Sequence, residues 1–363
     1  MLIPELPAYI TSLGGAEYKG YIISLFTITA MCSRPFSGKL ADTIGRVPVM
    51  MVGSLVCFVC SLMYPLLTSV AGFLMLRLAH GFSTGFKPTG QAAYLSDVIP
   101  ADRRGEAMGL LGTASAIGMA GGPAIGGLLS NQFDLNVLFY CSSAFALLSA
   151  IIIAGIKETV KEKHPFSLRL LKVNRYDLFE PRVLAPCIVM VLLGYSYGTS
   201  FTLIPDFGEY VGIKNKGLLF TYMTIASLAV RLVGGKVSDT WGRKPVLRVC
   251  CLLVLLSMVI ISTAETRLQL ILGVAFYGLA HGTTSPTLLA WATDLSDPKF
   301  KGRGVASLYI FMELGIGFGA FSSGLIYGND PAHFPLSFGI CSALAGLALM
   351  YLLLHTSPKR ITS

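Results

Sequence analysis

The chain has 363 residues, of which 53% are hydrophobic and 13% charged, and it carries a net charge of +9. A soluble domain has about 25% charged residues, so half of the surface charge that a water-soluble fold needs is missing. With 39 glycines and 18 prolines on top of the apolar load, a coiled coil, a disordered chain and a soluble globule are all excluded, which leaves a polytopic membrane protein.

In chain order, apolar segments of spanning length (about 20 residues) run over 18–40, 47–67, 70–96, 105–130, 134–156, 183–207, 216–238, 246–264, 268–293, 304–328 and 334–355, eleven in all. The one long polar stretch between them, 157–182, reads as a linker between an N-terminal helix bundle, 1–156, and a C-terminal bundle, 183–363. Eight cysteines lie inside the apolar runs. Cys57 and Cys60 form a C-x-x-C, for which two small buried thiols are the simpler reading, and neither a metal nor a cofactor is implied. Met1–Tyr9 has no basic start and no apolar core, so it is not a cleavable signal.

The halves repeat. Residues 34–49, RPFSGKLADTIGRVPV, match 231–246, RLVGGKVSDTWGRKPV, at nine positions with an offset of 197. LAHG at 78–81 recurs at 279–282, and RRGEA at 103–107 returns as GRGVA at 302–306. Leu2-Ile3-Pro4-Glu5 corresponds to Leu203-Ile204-Pro205-Asp206, which ends the first span of the second half. That match implies that most of a first transmembrane helix is lacking, that twelve spans are expected in the complete protein, and that the shortened form transports poorly or inserts poorly.

Lys and Arg give the orientation. With the linker inside, twenty of the 28 basic residues fall on its side, against Lys19, Lys214, Lys216 and Arg267 opposite. The linker and C-terminus are therefore expected in the cytoplasm. Charges placed in short interhelical loops do not suggest a nucleic-acid partner.

Gly38-Lys39-Leu40-Ala41-Asp42-Thr43-Ile44-Gly45-Arg46 and Gly235-Lys236-Val237-Ser238-Asp239-Thr240-Trp241-Gly242-Arg243 resemble the loop between the second and third helices of the major facilitator superfamily and its counterpart in the second half. The resemblance covers essentially the whole chain. It implies an all-α membrane fold of two six-helix bundles. It also implies a conformational latch made by Gly38, Asp42, Gly45, Arg46, Gly235, Asp239, Gly242 and Arg243, which Asp97 and Asp294 are placed to join. The alternative is a tight turn that only ends a helix. Arg34 and Arg231, one turn earlier, go with the latch.

Gly109, Gly118, Gly122, Pro123, Gly126 and Gly127 are similar to a helix-5 motif found mainly in the superfamily's antiporters. Glycines 118, 122 and 126 share a face on which a neighbouring backbone can approach, and proline allows a kink. Plain helix packing is the other reading.

Arg77, His80, Thr84, Lys87 and Gln91 lie on one helical stripe. Charge in hydrocarbon costs at least about 2.5–3.5 kcal/mol, so the stripe should face water or anions. Arg77 with Gly81 resembles the family's R-x-x-Q-G motif, linked to proton coupling, with His80 in place of glutamine; Arg77 could instead snorkel to the surface. Glu313, about ten residues into its span, is a candidate proton carrier or the partner of a permanent ion pair. His281, which mirrors His80 in the LAHG match, is a candidate relay or a core histidine. Glu5 and Asp206 read as wetted helix ends. Tyr195, Tyr197 and Phe201 either line a cavity or pack.

These residues point to a secondary transporter rather than an enzyme: no H-E-x-x-H, workable G-x-S-x-G or phosphate loop is present. Proton-coupled efflux of drugs or small amphipathic compounds is the leading expectation, and proton-coupled uptake of an anionic metabolite or sugar is the alternative. The expected partners are the bilayer, a small-molecule substrate and protons, for a monomer in the cell membrane.

Overall fold

The computed structural model describes residues 2, 5–15, 18, 21–162, 164–172, 174–213, 217–328 and 330–354. Among them the apolar runs become long helices because only a helix satisfies every backbone polar group within one segment in hydrocarbon. After a short α1 (Leu6–Ser12) come α2 (Tyr21–Thr43), α3 (Arg46–Met63), α4 (Val70–Val98), α5 (Arg104–Gln132) and α6 (Leu135–Ala154). A one-turn α7 (Arg175–Leu178) lies in the polar stretch. Then follow α8 (Leu184–Tyr210), α9 (Gly217–Trp241), α10 (Arg243–Ser262), α11 (Arg267–Leu295), α12 (Lys301–Tyr327) and α13 (Phe334–Leu354). No strand occurs among the described residues.

On length and composition alone, α3, α6, α8, α10, α12 and α13, with their adjoining turns, qualify as membrane-crossing, and α9 makes a seventh if its two parts, bent by 46°, count as one span. Helices α2, α4, α5 and α11 fall short because glycines and polar residues dilute them. Several of those polar residues in α4 and α11 are sequestered: Arg77 is 3% exposed, Thr287 fully buried and Thr293 1% exposed. This is the expected placement for polar groups at membrane depth.

Two compact units emerge. The first comprises Met1–Pro100, Ala114–Val183 and Leu295–Ile310; the second comprises Ala101–Thr113, Leu184–Asp294 and Phe311–Ser363. The first turns of α5 thus count with the second unit and those of α12 with the first.

In the first unit α4 packs on α2 and α3, and α3 packs on α6. Its core gathers Tyr64, Phe73, Leu138 and Phe139 around Leu6 and Ile10 of α1, with Tyr64 and Phe139 stacked 5.0 Å apart. The polar stretch 157–182 docks on this unit. Lys39 pairs with Asp177 at 2.8 Å, and the His164 N–H donates to the Thr43 carbonyl at 2.9 Å. In the second unit α13 packs on α8 and α10, and Phe207 stacks on Phe334 at 4.3 Å.

Candidate functional site

The loops after α2 and α9 build two matching networks. In the first unit Asp42 accepts from the backbone N–H of Gly302 at 2.7 Å and of Arg303 at 2.8 Å. In the second, Asp239 accepts from Gly105 at 2.8 Å and Glu106 at 2.9 Å. Each carboxylate thus satisfies orphan amides at the start of a helix, where the helix dipole also favours negative charge.

Arg46 donates to Asp42 and, through Nε, to Asp97 at 3.1 Å. Lys301 reaches the other Asp97 oxygen at 2.8 Å. Arg243 donates to Asp239 and to Asp294 at 2.9 Å, and Arg104 meets the second Asp294 oxygen at 2.8 Å.

The glycines of these loops have two jobs. A Cβ on Gly38 would come within 3.1 Å of the Arg303 Cα, and one on Gly235 within 3.0 Å of the Glu106 Cα. Gly45 and Gly242 have φ of 127° and 91°, a left-handed backbone that favours glycine.

Three participants carry no signature in the sequence. Glu158 accepts from the N–H groups of Arg46 and Val47 at 3.0 and 2.9 Å and so caps α3. Burial pushes its carboxyl up, but four backbone N–H donors together outweigh burial and hold it below the ordinary value. Glu180, 2% exposed, grips Arg303. Lys301 joins as described. Their partners are over a hundred residues away, which no local spacing reveals.

The polar stripe of α4 does not form one site. Arg77 Nε donates to the Ile22 carbonyl at 2.9 Å, Nη1 to the Tyr64 hydroxyl at 3.2 Å, and the guanidinium lies 4.5 Å from the Phe26 ring centre. At 3% exposure it does not snorkel. The Tyr64 hydroxyl is also 3.2 Å from His80 Nδ1, so Tyr64, which periodicity did not single out, links the two. Lys87 belongs elsewhere: it donates to Ser149 Oγ at 2.7 Å and lines a cavity of about 360 Å³ among α3, α4 and α6. Gln91 is half-buried further along α4.

The LAHG match is corrected by the packing. Gly81 lies against the Phe26 carbonyl and Gly85 against that of Ala30, while Gly278 lies against Met223 and Gly282 against Ser227. All four correspondences keep the offset of 197, as do the two 29-residue helices α4 and α11. His281 is therefore the counterpart of Thr84, and Tyr277 that of His80. Close glycine approaches set the register; the LAHG tetrapeptide recurs one turn out of phase. RRGEA and GRGVA are likewise two residues out, since Gly105 pairs with Gly302. His281 stacks on Tyr197 at 4.6 Å, Tyr197 packs on Phe201 at 4.6 Å, and the Tyr195 hydroxyl accepts from Ser322 at 2.7 Å. Glu313 is 8% exposed in the part of α12 that belongs to the second unit.

In α5 a close approach is expected at Gly118, Gly122 and Gly126, and one occurs at Gly109, whose added Cβ would meet the Arg231 carbonyl at 2.6 Å. At Gly118 it does not occur: among the described residues nothing lies within 4 Å of an added Cβ. Gly122 is half-buried and Gly126 buried. Pro123 and Gly127 lie in α5 but outside the residues whose side chains are described, as Lys19, Lys214, Lys216 and Met1, Ile3 and Pro4 lie outside the described residues altogether.

The family model of the Major Facilitator Superfamily matches residues 1–215 and 186–363. The chain is 26% identical over 362 residues to multidrug resistance protein 2 of Bacillus subtilis, covering 96% of this chain and 90% of that one. It is 27% identical over 345 residues to the multi-drug resistance efflux pump PmrA of Streptococcus pneumoniae, covering 92% and 86%. Among solved structures, the proton:xylose symporter XylE superposes with a TM-score of 0.81 at 14% identity, covering 97% and 90%. The human organic anion transporter MFSD10 superposes with a TM-score of 0.79 at 19% identity, covering 96% and 89%. With the family model matching along its whole length, on an all-helical fold shared with those neighbours, this chain belongs to the major facilitator superfamily of membrane transporters.

Proposed function

We propose that the chain exports drugs or other small amphipathic compounds in exchange for protons, by alternating access of two helix bundles. Similarity to multidrug resistance proteins over more than nine-tenths of the chain carries this reading. The paired networks at Asp42 and Asp239 support it as latches that form and release during the cycle. Each network lies at the cytoplasmic end of its own helices in this reading, as the Lys and Arg distribution suggests, and a monomer suffices. Arg77, held by Tyr64 beside His80, and Glu313, buried in α12, are the candidate coupling residues.

Everted membrane vesicles energised to an acidic interior test this with a pH-sensitive dye. Cationic drugs, sugars and organic anions are added in turn. Proton efflux triggered by a drug and lost with Arg77→Ala supports drug:proton exchange. Silence with drugs but a response to a sugar or an anion overturns it in favour of metabolite transport.

A further inference from the structure

We propose that the cavity among α3, α4 and α6 binds the carboxylate of an amphipathic acid, with Lys87 as the cation that holds it. Lys87 lies eleven residues from the end of α4, about 16 Å at 1.5 Å per residue, and its ammonium reaches Ser149, five residues from the end of α6, so the cation lies within the length of both helices. An ammonium has three donors. One goes to Ser149, and among the described residues no carboxylate pairs with Lys87. An uncompensated cation at that depth is costly, and an anionic ligand removes the cost.

The lining supplies more donors. Ser54, 1% exposed, is a lining residue of the cavity, and among the described residues its buried hydroxyl has no hydrogen-bond partner. A buried hydroxyl left unpaired is unfavourable, and turning it toward the cavity would let a ligand oxygen accept from it. Ser142 adds another hydroxyl. The volume, about 360 Å³, lies within the range of small-molecule sites, about 300–1,000 Å³.

The fold does not require this polar set. At the repeat-related positions of the second unit, Thr284 stands for Lys87 and Cys251 for Ser54. The final helices align through matching bonds, Ser143 to the Phe58 carbonyl and Ser342 to the Leu255 carbonyl, which puts Ala348 opposite Ser149. The same helix arrangement thus packs without a cation.

Charge and shape select the ligand. One ammonium balances one negative charge, so a monocarboxylate leaves the site neutral, whereas a phosphate monoester would leave excess negative charge in hydrocarbon. Phe145 at the cavity is 54% exposed, and Leu148 and Ile152 on the same helix are 51% and 61% exposed. In a spanning helix such residues face acyl chains, so a hydrocarbon tail can leave the cavity along them. The acid can therefore come from the membrane's own lipids or from solution. The site makes no demand on the direction or coupling of transport.

The purified protein, captured on scintillation beads, is titrated with radiolabelled dodecanoate. We expect saturable binding of one per chain, weakened at least tenfold in Lys87→Met and retained in Lys87→Arg. In a variant whose only cysteine is Cys57, a cavity-lining residue, dodecanoate should slow N-ethylmaleimide labelling at least fivefold, while dodecanol and dodecyl phosphate slow it less than twofold. Equal binding by Lys87→Met, or equal protection by dodecanol, overturns the proposal, as does labelling that dodecanoate leaves unchanged. Mass spectrometry of the protein purified without additions separates the sources. A fatty acid that co-purifies with the wild type but not with Lys87→Met marks the membrane as the supplier. A clean wild type that still binds added dodecanoate marks solution.

Discussion

The Asp42 carboxylate holds the backbone N–H of Arg303 at 2.8 Å across 261 residues of sequence, and Asp239 holds that of Glu106 at 2.9 Å in the same way. Both acids are buried and also engage an arginine four residues on. Breaking such a pair from one side costs about 3–5 kcal/mol. Asp42→Ala and Asp239→Ala should each lower the melting temperature and reduce transport at least tenfold, and Asp→Asn, which keeps an acceptor, should cost less. Thermal unfolding in detergent and vesicle transport read the two effects. Equal melting temperatures for Ala and Asn variants would remove the capping argument.

Gly45 and Gly242 differ in what a side chain would meet. Both need positive φ, which costs a non-glycine residue about 1–3 kcal/mol. At Gly45 an added Cβ also collides with the Glu158 carboxylate, whereas at Gly242 the nearest atom among the described residues is 3.8 Å away. Gly45→Ala should therefore melt at a clearly lower temperature than Gly242→Ala.

Along α5 the contrast is sharper. Gly109→Ala forces a methyl against the Arg231 carbonyl, and overpacking of this kind costs about 1–3 kcal/mol. Gly118→Ala meets no atom of the described residues within 4 Å and should stay within about 0.5 kcal/mol of the parent. If transport nonetheless fails in Gly118→Ala with an unchanged melting temperature, Gly118 is needed in another conformation.

Glu158 makes stability depend on acid. Its folded-state pKa lies below the ordinary value because the backbone donors outweigh burial. The stabilisation is therefore complete above the unfolded-state value, about 4.3, and is lost as pH falls through the lower folded-state value. Melting temperatures between pH 3 and 7 should fall more steeply on the acid side in the parent than in Glu158→Gln.

Tyr64→Phe removes the hydroxyl that joins Arg77 to His80. A buried donor left without its partner costs about 1–3 kcal/mol. The variant should still insert, and its transport should show a shifted pH profile, which a purely structural role for Tyr64 would leave in place.

Helix positions were legible because membrane helices must be long and apolar: the run at 70–96 became Val70–Val98 and that at 268–293 became Arg267–Leu295. The pairing of Arg46 with Asp97, and of Arg243 with Asp294, was legible too, since the repeated loops place each arginine beside the end of the following spans. Glu158, Glu180 and Tyr64 were not. Each acts on a partner brought close by packing, and an isolated acid or aromatic in a sequence has no period to betray it.

From its residues alone the chain determines that it is an all-helical membrane protein with an internal repeat, because hydrocarbon punishes unpaired backbone and exposed charge at every position independently. Only the tertiary structure decides the register of that repeat inside the helices. LAHG and RRGEA suggested offsets of their own, but backbone contact at Gly81, Gly85, Gly278 and Gly282 allows one alignment. Tertiary packing likewise separates Lys87 from Arg77, which a helical wheel places on one stripe. Neighbours, not angular position, decide whether a buried charge meets a tyrosine and a carbonyl or an open cavity.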